Sequence, residues 1–128
     1  AKYIAERTIK LMIKKGIQIK DSKVLVLGIT FKENCPDVRN TKIVDVVKAL
    51  EDYGIKVTIY DPWANPSEVL HEYNITCHSE LVSASKYDAV VLGVAHKEFF
   101  DLNLTPLLNQ NGVVYDVKGV LKNSDSKL

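Results

Sequence analysis

The chain has 128 residues, of which 46% are hydrophobic and 26% are charged, so it is long enough for one globular domain with its own core. Its formal net charge of +1 excludes a strong overall field that would attract nucleic acid or an acidic membrane, and we expect neither as a partner. The sequence has no apolar run long enough to span a bilayer and no apolar centre of a signal peptide. Cys35 and Cys77 lack the spacing of a metal site, which favours free thiols in the reducing cytoplasm.

Hydrophobic periodicity predicts helices and strands that alternate along the chain. The predicted elements, in chain order, are a helix over 3–15, a strand over 23–29, a helix over 41–53, a strand over 55–60, helices over 66–73 and 79–85, a strand over 89–94, helical pieces within 97–108, a strand over 113–116 entered through a turn at 111–112, and a frayed polar tail from 122. Strands separated by helical segments pair in parallel through right-handed crossovers. The sequence therefore predicts an α/β fold, a Rossmann-like three-layer domain with a mainly parallel sheet, preceded by one helix. Because Ala1 lies inside a helical pattern, we expect the chain to be cut from a longer one, to whose preceding part the first helix belongs.

The loop after the first predicted strand carries the most informative residues. It places Lys32 and Arg39 between the carboxyl end of a strand and the N-terminus of a helix. Ligands of open α/β sheets bind outside the carboxyl ends of the strands, and a helix N-terminus favours an anion such as phosphate. Lys118 follows the fourth predicted strand, so we expect two lysines from neighbouring strand ends to hold one diphosphate. A solvated surface lysine is an equally good interpretation of Lys118, and a contact with Asp37 that shapes the loop is the alternative for Arg39.

Two other functions of an α/β domain stay open at this point. A dinucleotide-binding domain has a G-x-G-x-x-G turn after its first strand, whereas this chain has Gly28 followed by bulky residues. Asp61 ends the second strand as a ribose-binding acid would, but without the glycines it is better explained as an Asp-Pro turn residue. A phospho-receiver domain has carboxylates clustered at its strand ends and a lysine after its last strand. Lys118 fits that lysine, but the first loop offers Glu33 and Asp37, and no aspartate closes the third strand.

Three other residues near the predicted strand ends have chemistry to consider. His96 follows the third strand and is expected at the same edge, where a lone histidine is more often structural than catalytic. Cys35 lies beside a proline in a polar loop, and no histidine close in sequence activates it. Trp63 is expected to pack against a loop or a partner domain.

Four segments carry a resemblance to a known family. They are GITFKENCPDVRNT at 28–41, YDPW at 60–63, VAHKEF at 94–99 and YDVK at 115–118. In this order they resemble the bacterial UDP-glucose/GDP-mannose dehydrogenases, and the first resembles the signature at the start of that family's C-terminal, UDP-sugar-binding domain. The ENCP variant at 33–36 is most similar to the UDP-N-acetylhexosamine 6-dehydrogenase branch, including the enzymes of Vi-antigen type.

The resemblance implies an architecture and an activity. Family members have an N-terminal NAD domain, a central helical dimerisation region and a C-terminal Rossmann-like domain, and they oxidise the C6 alcohol of the sugar to a carboxylate in two NAD-dependent steps. On this comparison residues 1–20 are the end of the central region and residues 21–128 are the UDP-sugar-binding domain. The implied partners are a UDP-sugar, the rest of the polypeptide and a second copy in a homodimer. The implied process is surface polysaccharide synthesis in the cytoplasm.

The resemblance also assigns roles to residues. Phe31 and Lys32 match the pair that contacts the UDP-sugar. Arg39 matches the arginine that reaches across the domain cleft to NAD. Lys118 matches a region in which relatives place a basic substrate contact, although UDP-glucose enzymes have an arginine beside this position.

Other residues receive no role from the resemblance. His96 lies in a matching motif without an assigned function. The NAD fingerprint and the glycine-rich loop of the catalytic cysteine are absent from the sequence, so Cys35 is not that nucleophile. We expect NAD to bind mainly to the missing N-terminal domain. The chain alone is expected to be inactive, with no catalytic residue of its own and no metal site.

Overall fold

The structure is a computed structural model that describes residues 2–81, 86–119, 121, 124 and 126–127. Within these residues the elements are, in chain order, α1 (Lys2–Lys14), β1 (Lys23–Leu27), α2 (Ile43–Asp52), β2 (Lys56–Tyr60), α3 (Pro66–Tyr73), β3 (Tyr87–Leu92), 3₁₀ turns at Lys97–Phe99 and Thr105–Leu107, β4 (Leu108–Asp116) and β5 (Ser126–Lys127). None of the helices in these ranges has the length and apolar character needed to cross a membrane.

The described strands form one parallel sheet in the order β2-β1-β3-β4-β5. Within β1, Val26 pairs with Ile59 on one side and with Val91 on the other. Because β1 is covered on both faces beyond its first residue, the four residues after Lys23 form a continuous aliphatic run. The strand order reverses at β1, so the topological switch point lies between the carboxyl ends of β1 and β3. The predicted Rossmann-like α/β fold is confirmed.

The sheet separates two hydrophobic clusters. One cluster joins the sheet to the three helices, which contribute buried residues such as Met12, Val47 and Val69. The other is covered by the 3₁₀ turns, which contribute Phe99 and Leu107. Helix α1 packs against α2 and β4 and so shares the core of the domain. Its assignment to a separate central region stays a prediction.

The bounds of α3 agree with the sequence prediction because its end signals are local. Asn65 caps the helix by accepting a hydrogen bond from the backbone N–H of Ser67 at 2.9 Å, and Pro66 occupies the first turn. Asn74 ends the helix in the left-handed region, with φ of 57°. The bounds of the other main helices, and of β1, β2 and β3, differ from the predictions by one or two residues.

Three local predictions differ from the structure. The helix predicted over 79–85 is absent at 79–81, and residues 82–85 lie outside the described residues. The turn predicted at 111–112 lies inside β4, where the pairing with β3 shifts register between Tyr87 and Ala89. The tail predicted to be frayed contains β5, which pairs with the end of β4, while residues 122, 123, 125 and 128 lie outside the described residues.

Candidate functional site

A hollow of about 170 Å³ lies at the carboxyl edge of the sheet, beside the switch point between β1 and β3. Phe31, Lys32 and Lys118 all border it, and we call it the lysine hollow. The Phe31 side chain is 58% exposed and both lysines are exposed, so each can reach a ligand. The structure therefore brings together the three residues that sequence analysis expected at one edge.

The sequence predicted that the two lysines follow neighbouring strands, and this prediction is wrong. Lys32 follows β1 and Lys118 follows β4, and β3 lies between these strands. Gly93, directly after β3, has no side chain, and this lets the first turn of α2 lie close to the end of β3, between the two lysines. A Cβ atom at Gly93 would be 2.8 Å from Cδ1 of Ile43. The beginning of α2 thus forms part of the wall between the two lysines.

Lys42, which was not among the predicted site residues, also borders the lysine hollow. Lys42 is the N-cap residue of α2, is exposed, and makes no side-chain capping bond. The cap interaction comes from Thr41, whose hydroxyl accepts from the backbone N–H of Ile43 at 3.3 Å. A cation at a helix N-terminus opposes the helix dipole, which favours a bound anion at that point. Lys42 is three residues closer to α2 than Arg39, so this argument favours Lys42.

Arg39 lies apart from the lysine hollow. Its guanidinium donates to both carboxylate oxygens of Asp37, at 3.1 and 3.2 Å, and its side chain is 78% exposed. These hydrogen bonds lower the pKa of Asp37 and raise that of Arg39. The contact that shapes the loop, the alternative considered for Arg39, is therefore present. Arg39 borders a different depression, together with Glu68 and Glu72 of α3.

Asp61, at the end of β2, is a fully buried carboxylate that anchors two loops. Its Oδ2 accepts from the backbone N–H groups of Ile29 and Thr30, at 2.7 and 3.2 Å. Its Oδ1 accepts from those of Trp63 and Ala64, at 2.7 and 3.1 Å. Burial raises the pKa of Asp61, but hydrogen bonds from His96 and the backbone outweigh burial and hold the pKa below 3.8. The carboxylate therefore stays ionised inside the domain.

His96 is the partner of Asp61 that sequence analysis left without a role. The ring is fully buried, and its Nε2 lies 3.0 Å from Oδ2 of Asp61 and 3.1 Å from Oγ1 of Thr30. Its Nδ1 accepts from the backbone N–H of Asn34 at 2.9 Å. The ring of Trp63 stacks on it, with centroids 6.0 Å apart. The signal that could have joined these residues is that each follows a strand adjacent to β1.

Asp116, at the end of β4, does for the Lys118 turn what Asp61 does for the first loop. It is fully buried, and its Oδ1 accepts from the backbone N–H groups of Lys118 and Gly119 at 3.0 and 2.8 Å. Its Oδ2 accepts from the N–H of Leu121 at 2.6 Å. These bonds fix the backbone that carries the Lys118 side chain.

The geometry disfavours both alternative functions. The carboxylates of Asp61 and Asp116 are buried and hydrogen-bonded on both oxygens, so neither is open to a phosphoryl donor. At Gly28 a Cβ atom would be 2.6 Å from Cβ and 2.9 Å from the backbone N of Val94. The backbone N–H groups of Ile29, Thr30 and Phe31, which follow Gly28, already donate to Asp61 and to the carbonyl of Asp37, whereas a dinucleotide turn offers such groups to the pyrophosphate.

Comparison with known proteins identifies the family. The family model described as UDP-glucose/GDP-mannose dehydrogenase family, UDP binding domain, matches residues 25–123. The UDP-N-acetyl-D-glucosamine 6-dehydrogenase of Salmonella typhi is 48% identical over 98% of this chain and 31% of its own length, and the protein of that name from Pseudomonas aeruginosa is 41% identical over 98% of this chain and 30% of its own.

The fold agrees with that of a solved structure. The NDP-N-acetyl-D-galactosaminuronic acid dehydrogenase from Methanosarcina mazei Go1 superposes with a TM-score of 0.80, at 21% identity, over 94% of this chain and 25% of that one. This chain spans about a third of the length of the curated relatives it matches. It belongs to the UDP-glucose/GDP-mannose dehydrogenase family and matches the UDP binding domain of that family.

Proposed function

We propose that this chain is the C-terminal, UDP-sugar-binding part of an NAD-dependent dehydrogenase that oxidises a UDP-N-acetylhexosamine to its uronic acid for surface polysaccharide synthesis. The observation that carries the proposal is the lysine hollow, where Lys32 and Lys118 flank the first turn of α2. Support also comes from the two relatives named as UDP-N-acetyl-D-glucosamine 6-dehydrogenases.

In this proposal each residue of the hollow has a separate task. The diphosphate of the substrate binds between Lys32 and Lys118, whose ammonium groups balance its negative charges. Lys42 adds a third cation at the N-terminus of α2, where the helix dipole also favours an anion. Phe31 is adjacent to Lys32 and largely exposed, so its ring packs against the uridine or sugar part of the ligand.

NAD enters this proposal as a ligand of another part of the enzyme. The backbone N–H groups of Ile29 and Thr30 at the first turn already donate to Asp61, which supports binding of its pyrophosphate elsewhere. Arg39 is exposed and lies away from the hollow, which supports a contact with NAD held by the N-terminal domain. The catalytic groups lie outside this chain, so the chain alone is inactive. Its contribution is to position the sugar in a cytoplasmic, homodimeric enzyme.

A titration of the chain with UDP, followed by amide chemical shifts, tests the proposal. The largest shifts should fall on residues of the lysine hollow. Lys32→Gln and Lys118→Gln should each weaken UDP binding about tenfold, the loss of one charge-assisted hydrogen bond. Lys42→Gln should weaken it less, and UMP should bind more weakly than UDP.

Lys56→Gln is the matched control, because Lys56 is exposed at the beginning of β2, on the opposite edge of the sheet. Its UDP affinity should equal that of the wild type. Shifts that map away from the hollow, or lysine variants of the hollow that bind like the control, would contradict the proposal. Rising salt should weaken wild-type binding more than binding by the Lys32→Gln variant.

A further inference from the structure

The two ring nitrogens of His96 hold the loop segment that carries Phe31 and Lys32. This segment lies between Thr30, whose hydroxyl is 3.1 Å from Nε2, and Asn34, whose backbone N–H donates to Nδ1 at 2.9 Å. We propose that His96 is a positioning residue for UDP binding, which acts by fixing the backbone of Phe31 and Lys32. The inference rests on the proposed function, because it gives that function's substrate contacts a buried support.

The hydrogen-bond pattern determines where the ring proton lies. Because Nδ1 accepts from Asn34, the proton of the neutral ring is on Nε2, shared between Asp61 and Thr30. The Thr30 hydroxyl donates its own hydrogen to the carbonyl of Lys32 at 3.0 Å, so it accepts from His96. An unbroken chain of hydrogen bonds thus runs from the buried Asp61 carboxylate to the backbone of Lys32.

The rest of the loop is held in the same way. The backbone N–H of Phe31 donates to the carbonyl of Asp37 at 2.7 Å, and the side-chain oxygen of Asn34 accepts from the N–H of Lys97 at 2.9 Å. Asn34 has a φ of 53°, which turns the chain back toward His96. The backbone is therefore fixed from below, while the side chains of Phe31 and Lys32 remain exposed above it.

Conservative variants separate the two nitrogens. The amide oxygen of His96→Asn can replace Nδ1 as the acceptor for Asn34, whereas the amide nitrogen of His96→Gln can replace Nε2 as the donor to Asp61. His96→Leu removes both. We expect His96→Leu to weaken UDP binding about tenfold, and each amide variant to recover part of that loss, to within about threefold of the wild type.

NMR signals of single residues distinguish a positioning role from general destabilisation, because a loss of stability alone would not change them. The Asn34 amide signal should stay near its wild-type position in His96→Asn and shift in His96→Gln. Imidazole ¹⁵N signals of the wild type should show Nδ1 without a proton. Leu107→Ala is the matched control, because Leu107 is buried in the second 3₁₀ turn and does not border the lysine hollow. It should lower the free energy of unfolding and leave UDP affinity unchanged.

The outcomes separate the two ideas. If the wild-type chain does not bind UDP, both the proposed function and this inference are overturned. If the wild type binds UDP but His96→Leu weakens binding no more than Leu107→Ala, the positioning role fails and the proposed function stands. If His96→Leu does not fold, the comparison of His96→Asn with His96→Gln still decides, because equal affinity to the wild type in both overturns the inference.

Discussion

Asp61→Asn is the substitution whose cost the structure specifies most closely. It keeps the shape of the side chain and replaces one carboxylate oxygen by an NH₂ group. Both oxygens of this carboxylate act only as acceptors towards the described residues. The groups that donate to them are the ring of His96 and the backbone N–H groups of Ile29, Thr30, Trp63 and Ala64. An amide nitrogen can accept none of these bonds.

The cost follows from counting the donors left without an acceptor. If the new NH₂ group takes the place of Oδ1, it faces the N–H groups of Trp63 and Ala64. If it takes the place of Oδ2, it faces three donors, which are the N–H groups of Ile29 and Thr30 and the ring of His96. A buried donor without a partner costs about 1–3 kcal/mol, so two of them lower the free energy of unfolding by about 2–6 kcal/mol. This is a large fraction of the stability of roughly 5–15 kcal/mol typical of a single domain.

Urea unfolding at neutral pH measures the effect. The midpoint should fall while the slope with urea stays unchanged. Asp37→Asn is the control, since Asp37 lies on the exposed loop and its partner Arg39 is in solvent, and its midpoint should match the wild type. A loss below about 1 kcal/mol for Asp61→Asn would refute the reasoning, because it would mean that the carboxylate is not holding the loops.

The pH dependence of the stability difference between the wild type and Asp61→Asn gives an independent check of this role of Asp61. The folded-state pKa of Asp61 lies below its ordinary value of 3.8, because the hydrogen bonds to the ionised form outweigh burial. The resulting stabilisation is fully present above the unfolded-state value and is lost as the pH falls through the lower, folded-state value. The stability difference between wild type and Asp61→Asn should therefore be constant above about pH 5 and shrink at more acid pH.

Three further predictions concern other parts of the chain. Gly28→Ala should destabilise the domain by about 2 kcal/mol or more in thermal unfolding, because Gly28 has a φ of 91° and its added Cβ would be 2.6 Å from Cβ of Val94. Burial, and then the charge of Asp61, raise the pKa of the Cys77 thiol to about 12. A thiol reagent at pH 8 should therefore modify Cys35 in the native chain and both cysteines in urea. Fast reaction of both thiols in the native chain would contradict this. Arg39→Ala should leave the UDP affinity of this chain unchanged in the NMR titration, and a loss equal to that of Lys32→Gln would place Arg39 at the diphosphate.

The sequence predicts the helices and strands well where their end signals are local. Asn65, Pro66 and Asn74 define α3 within the helix and its flanks, so its bounds follow from the sequence. The beginning of β4 depends instead on pairing with β3 across an irregular register, which no turn residue reveals. Asn111 and Gly112 have the composition of a turn, and they lie in the irregular stretch of β4 between Leu108, which pairs with Tyr87, and Val113, which pairs with Ala89.

The candidate site was predictable in part for the same reason. Lys32 and Lys118 each follow a buried strand, and the carboxyl ends of parallel strands meet at one edge. The strand order was not predictable, because it depends on which side of β1 the chain crosses to form β3. The contact between Asp61 and His96 was missed because it joins residues 35 positions apart through loop geometry.

The glycines and the buried aspartates explain why this domain uses side chains for the proposed anion site. In a dinucleotide turn, glycines let backbone N–H groups approach the pyrophosphate directly. Here Gly28 instead packs against the loop after β3, and the first-loop N–H groups of Ile29 and Thr30 point inward to Asp61. Positive charge at the surface must then come from lysines, which are flexible unless their backbone is held. Asp61 below the first loop and Asp116 below the Lys118 turn supply that support, so negative charge is buried among N–H dipoles while the lysine charge remains free to meet a diphosphate.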